Sequence, residues 1–237
     1  MISKLSAAME SRTAPIAAPG KESTPLSKEA MIAHALDVAD SDGLAAVSIR
    51  RIAQDFGVTP MALYWHVKNK DELLAAMGDA IIGEVPVPSP GPAPELEELR
   101  PLLMSLVEAL RRHAGSTDLA MARILRCENG QALSEAALKI LWDNGFTVQE
   151  SANLARAALQ TAIMLVSGRP GAETTVRQEE RAAVLAGKRA ALAGLPADRF
   201  PRLVESAGAL TDCPDEAAYY GAGIDLYVAG VTALKQR

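Results

Sequence analysis

Between Ser48 and Lys70 the chain gathers residue types suited to holding a polyanion. Arg50, Arg51, Lys68 and Lys70 supply cations, Ser48, Thr59, Tyr64 and His66 supply hydrogen-bonding groups, and Asp55 is the sole acidic residue. The local balance is +3 inside a chain whose formal charge is −5. Phosphate neutralisation needs only such a local stripe, although spacing alone reads equally well as a solvated basic face on two helices. Elsewhere reactive chemistry is sparse. The chain has three histidines, and its two cysteines, Cys127 and Cys213, are far apart with no C-x-x-C between them. This argues against a disulfide framework or a structural zinc site. No serine, glycine-rich or paired-carboxylate motif stands at catalytic spacing, so an enzyme is the disfavoured class.

The elements that must position the basic segment are helical. Ile32, Leu36 and Ala39 recur at helical spacing after an N-cap at Ser27, ending at Ser41-Asp42-Gly43. Ser48 caps a second helix whose Ile49, Ile52, Ala53 and Phe56 form one apolar face, and Gly57 ends it. A third helix starts at Thr59, with its hydroxyl as N-cap and Pro60 at the first helical position, and runs to Val67. Helix, glycine turn and helix over 48–67 suit a helix-turn-helix, whose second helix lies in the major groove. Leu63 and Val67 then pack inward, leaving Pro60, Met61, Ala62 and Tyr64 outward, while Trp65 reads as wedged between helices. Asn69 with Glu72 opens a fourth helix.

Proline at 86, 88, 90, 92 and 94 makes an extended connector that no helix crosses. It divides the 237 residues into an unstructured tail (1–24), a DNA-binding unit (25–85), the connector (86–94) and a second unit (95–237). Further helices are expected at about 95–114, 117–127, 130–144, 148–168, 174–193 and 215–236, giving an all-α chain. No apolar run approaches the roughly 18 residues of a membrane span. Lys4, Glu10, Arg12 and two prolines interrupt any signal-like core before Gly20, so the expectation is a cytoplasmic protein without membrane contact.

The run from Ile52 to Leu74, and within it Leu63-Tyr-Trp-His-Val-Lys-Asn-Lys70, resembles the DNA-binding domain of the Tet repressor family over about 60 residues, Leu26 to Val85. The resemblance implies a dimeric regulator of transcription that binds double-stranded DNA. It also implies that Arg50 reaches a guanine edge, that Ser48, Tyr64 and Lys70 hold phosphates, and that His66 and Lys68 lie beside them. Thr59-Pro60-Met61-Ala62 departs from the Tet repressor at the base-reading positions. Met61 and Ala62 offer only apolar contacts, so the operator should differ from the tetracycline operator.

The last helix, Tyr220-Gly-Ala-Gly223-Ile-Asp225-Leu-Tyr-Val-Ala-Gly230-Val, is similar to a C-terminal pattern of many such regulators. Gly223 and Gly230 lie seven residues apart, and each glycine costs a helix about 1 kcal/mol unless close approach compensates. With the alanine-rich helix before it, this points to a four-helix homodimer interface holding Leu159, Ile163, Gly223, Leu226, Tyr227 and Gly230. Met104, His113, Met121, Leu125, Trp142, Phe146 and Met164 are the expected ligand contacts, on helices that in this family surround a cavity for a small-molecule effector. His113 aligns roughly with a histidine that binds a ligand's magnesium in the Tet repressor, but Pro86 replaces another ligand-binding histidine, so neither a metal nor a cofactor is expected. A regulator without an effector, controlled by abundance or by another protein, is the alternative reading.

Overall fold

The computed structural model describes residues 26–87, 91, 93–171 and 178–236. The expected tail, part of the connector and the start of the expected 174–193 helix lie outside the described residues. Those that are described form twelve α-helices with three short 3-10 turns and no strand.

Capping sets the first boundaries. The Ser27 side chain accepts from the Ala30 N–H at 3.1 Å to open α1 (Lys28–Asp42). Ser48 accepts from Arg51 at 3.2 Å to open α2 (Ile49–Asp55), and Asn69 from Glu72 at 2.8 Å to open α4 (Lys70–Gly83). Each cap satisfies one backbone donor that the first helical turn leaves orphaned. The intervening α3 (Pro60–Leu63) is shorter than the sequence suggests. After Leu63 the chain tightens, with the His66 N–H donating to the Leu63 carbonyl three residues back, and Thr59 makes no side-chain cap.

The rest comprises α5 (Leu99–Arg112), α6 (Thr117–Arg123), α7 (Glu128–Asp143), α8 (Val148–Ser167), α9 (Gln178–Ala193), α10 (Pro201–Glu205), α11 (Ala207–Thr211) and α12 (Glu216–Lys235). The sequence reading places nothing between 193 and 215, because five-residue helices are too short to display a 3.6-residue period. One continuous core runs from Met31 through Met77, Leu99 and Ile140 to Val231, so the two units share buried surface rather than meeting only at the proline connector. α4 carries the join, packing on α1 on one side and on α5, α6 and α7 on the other. No helix among the described residues is long and apolar enough to cross a membrane.

Candidate nucleic-acid interface and ligand cavity

α2 and α3 are held at a fixed angle by one core and one turn. Ile52, Ala53, Leu63 and Val67 are buried. Gly57 takes φ +66, a left-handed conformation that a side chain resists, and the Val58 N–H donates back to Ala53 at 2.9 Å. With those residues fixed inward, Thr59, Pro60, Met61 and Tyr64 are left on the outside. Trp65 is 87% exposed, so it is not wedged between helices: Leu63 and Val67 already fill the inward positions of this short segment.

One of the four basic residues is spent on structure. Arg51 donates through Nε to Asp55 at 2.9 Å and through a terminal nitrogen to Asp42 at 3.3 Å. Asp55 also meets His34 Nε2 at 3.0 Å, and hydrogen bonds from His34 and then Arg51 hold its carboxyl below the usual carboxylate range. Arg51 and Asp55 therefore cancel while tying α2 to α1. Arg50, Lys68 and Lys70 are exposed and, among the described residues, have no ion-pair partner, which leaves three cations around the recognition segment. The Ser48 hydroxyl, spent as a cap acceptor, still has its own O–H to donate, and His66, just past α3, is half-buried.

Behind this face, α1 and α4 meet the second unit through backbone contact and charged pairs. A Cβ on Gly78 would stand 2.6 Å from the Leu119 carbonyl oxygen, so α4 and α6 touch backbone to backbone. One residue on, Asp79 receives two hydrogen bonds from Arg123, at 2.6 and 3.1 Å. At the far end His113 places Nδ1 2.8 Å from Asp40 of α1 and Nε2 3.1 Å from Glu84 just past α4. Carboxylates only accept, so both contacts are hydrogen bonds only when the imidazole is doubly protonated. The bond to Asp40, reinforced by Glu84, pushes the His113 pKa up against the opposing effect of burial. This places His113 in a latch between units rather than in a ligand site.

A cavity of about 240 Å³ opens between α5, α7 and α8, walled by Leu102, Leu103, Leu106, Leu133 and Leu159 and by Ile124 and Leu125 just beyond α6. Of the side chains read from sequence as ligand contacts, Leu125 alone lines it. Phe146 is buried, Met104 packs partly buried against the core, and Met121, Trp142 and Met164 are exposed. The wall is instead leucine and small alanine: Ala152, Ala155 and Ala158 leave room along one face of α8. That alanine spacing was the available signal.

The residues expected at a dimer interface separate into two groups. Leu226 is 77% exposed, and a Cβ on Gly230 would meet nothing within 4 Å, so both face outward with Met164 and Leu234. Gly223 faces Leu165 of the same chain so closely that its close approach is intramolecular. Ile163 is buried, Leu159 lines the cavity, and the Tyr227 hydroxyl donates to the Leu154 carbonyl at 2.7 Å, burial pushing its phenol up to about 12.

Known proteins match this arrangement over most of its length. The family model for bacterial regulatory proteins, tetR family, matches residues 31–77. An HTH-type transcriptional regulator of Saccharopolyspora erythraea is 28% identical over 94% of this chain and 88% of its own, and the class D tetracycline repressor of Escherichia coli is 26% identical over 89% and 93%. The crystal structure of the Streptomyces coelicolor TetR family protein ActR in complex with actinorhodin superposes with a TM-score of 0.65, at 28% identity, over 90% of this chain and 100% of that one.

Proposed function

The chain belongs to the tetR family of DNA-binding transcriptional regulators and is not an enzyme; from that premise we propose that it is a dimeric repressor released from a palindromic operator by a small, largely apolar effector. α2 and α3 of each protomer enter the major groove, with Arg50 reading a base edge and Met61 and Ala62 meeting thymine methyl groups. Ser48, Tyr64, Lys68 and Lys70 hold the phosphates, with Thr59, Pro60 and His66 at the same surface. The outward strip of Met164, Leu226, Gly230 and Leu234 on α8 and α12 supports self-association, since an exposed apolar face on paired helices needs a partner.

One observation carries the effector reading. The cavity wall at Ile124 and Leu125 continues directly into α6, and α6 meets α4 at Gly78 without an intervening side chain. An occupant that displaces this wall moves α4, and α4 begins at Lys70, seven residues after α3 ends at Leu63. ActR, crystallised with actinorhodin, supports a ligand-responsive scheme for its relatives. A coupling of about 2.7 kcal/mol loosens operator binding roughly a hundredfold.

Selection of bound duplexes from a randomised library, followed by fluorescence anisotropy, tests both halves. The expected product is a two-fold symmetric site bound by two protomers, with affinity falling steeply as salt rises. Enrichment of an asymmetric site bound by one protomer rejects the dimeric reading. Operator affinity that no apolar compound alters, in a panel whose members raise the melting temperature, rejects the effector reading.

A further inference from the structure

The cavity has one wall unlike the rest. Arg156 of α8 joins the lining that Leu102, Leu106, Leu133 and Leu159 make oily, and no acidic residue lines it. Among the described residues Arg156 has no ion-pair or hydrogen-bond partner. Other arginines of the second unit differ in this respect: Arg100 is paired with Asp225, Arg123 with Asp79 and Arg169 with Glu216. Ser134, the other polar side chain of the lining, already donates to the Gly130 carbonyl at 2.8 Å. An uncompensated guanidinium at the edge of a low-dielectric cavity attracts an anion and repels a cation, and its planar fork matches a carboxylate through two parallel hydrogen bonds.

We infer that the effector is a small amphipathic anion, whose apolar body fills the leucine-lined cavity and whose carboxylate or phenolate meets Arg156. This rests on the cavity being the effector site. The volume, about 240 Å³, lies just below the usual range of small-molecule pockets, the scale of a small ring system rather than a long lipid. Arg156 itself is exposed, so the pair is partly screened and selects for charge by a modest factor.

Two probes of nearly equal shape isolate the charge: 2-naphthylacetate and its neutral counterpart 2-naphthylacetamide, titrated calorimetrically into the full-length protein at neutral pH. The anion should bind about fivefold to tenfold more tightly, and the gap should narrow as salt rises. Arg156→Gln should erase the gap while leaving amide binding unchanged, and Arg156→Lys should keep part of it. Ala155→Phe, which fills the cavity, should abolish both. Equal binding of the two probes, or a gap that survives Arg156→Gln, overturns the anion assignment and leaves the cavity reading standing. No binding of either probe to the wild type, or undiminished binding of both to a folded Ala155→Phe, removes the cavity as the effector site and the anion assignment with it.

Discussion

Replacing Gly78 by Ala tests whether α4 and α6 move as one body. On an unpacked helix the change stabilises by about 1 kcal/mol, because a helix interior penalises glycine by that amount. At Gly78 the new Cβ would lie 2.6 Å from the Leu119 carbonyl oxygen, 2.9 Å from its carbonyl carbon and 2.7 Å from Arg123 Cγ. The arginine side chain can yield, but the Leu119 backbone moves only if α6 moves. Ordinary contact begins near 3.4 Å, so the helices must part by about 0.8 Å at this point. A gap of that size forfeits roughly a quarter to a half of the dispersion attraction across adjoining contacts. Overpacking costs about 1 to 3 kcal/mol, so after the propensity gain the net loss is about 0 to 2 kcal/mol. The parting also strains the Asp79–Arg123 pair, so the variant should resemble the effector-bound form and bind operator about tenfold more weakly. Urea unfolding and operator anisotropy measure the two effects, with Gly187→Ala of α9 as reference. Nothing lies within 4 Å of a Cβ there, and a gain of about 1 kcal/mol is expected. A Gly78→Ala protein as stable as the reference, with wild-type operator affinity, refutes the coupling.

Arg50→Ala should lose about 1 to 3 kcal/mol of operator discrimination with an unchanged melting temperature. Arg51→Ala, which breaks two partly exposed ion pairs, should lower the melting temperature slightly with little effect on base preference; reversal of this pattern in melts and competition binding would show the two arginines misassigned. His113 has a raised folded-state pKa, so the stability it adds is fully present below its unfolded value and is lost as pH rises through the folded one. The stability difference between wild type and His113→Gln should therefore shrink from pH 6 to pH 9, and a constant difference would exclude an imidazolium latch. Leu226→Asp should yield a folded monomer in sedimentation equilibrium, as should Gly230→Leu, whereas Gly223→Leu should unfold the chain locally against Leu165 before it affects assembly. An intact Leu226→Asp dimer would move the interface off α12.

Features set by neighbours a few residues away were legible in the sequence. The serine and asparagine caps at positions 27, 48 and 69, the Gly57 turn and the inward pair Leu63 and Val67 all follow from local backbone chemistry and helical period. What was not legible is tertiary. The +3 count equals the three cations left free, but which of the four is spent is not written locally: His34 and Asp42 of α1 complete a network around Arg51 and Asp55 across sequence gaps that no local pattern encodes. Trp65 looked like a core residue by type, but the segment has only two inward positions and both were taken. The methionines looked like a pocket by softness, yet the room was made by alanines on α8, and a cavity is a property of what fails to fill it.

The glycines on either side of α6 would let the proposed effector act at a distance. Gly78 brings the Leu119 backbone against α4, and Gly130 brings the Ile124 carbonyl so close to α7 that a Cβ there could not be accommodated without a shift. A side chain at either contact could absorb a displacement by changing rotamer. Backbone against backbone has no such slack, and packed interiors compress little. A displacement begun at Leu125 therefore reaches α4 as movement of a whole helix, and the Asp79–Arg123 bonds carry its direction as well as its magnitude. If the protein acts as the proposed dimer, that stiffness would select one spacing between its two recognition segments, because a two-fold operator discriminates between rigid arrangements and not between averages of mobile ones.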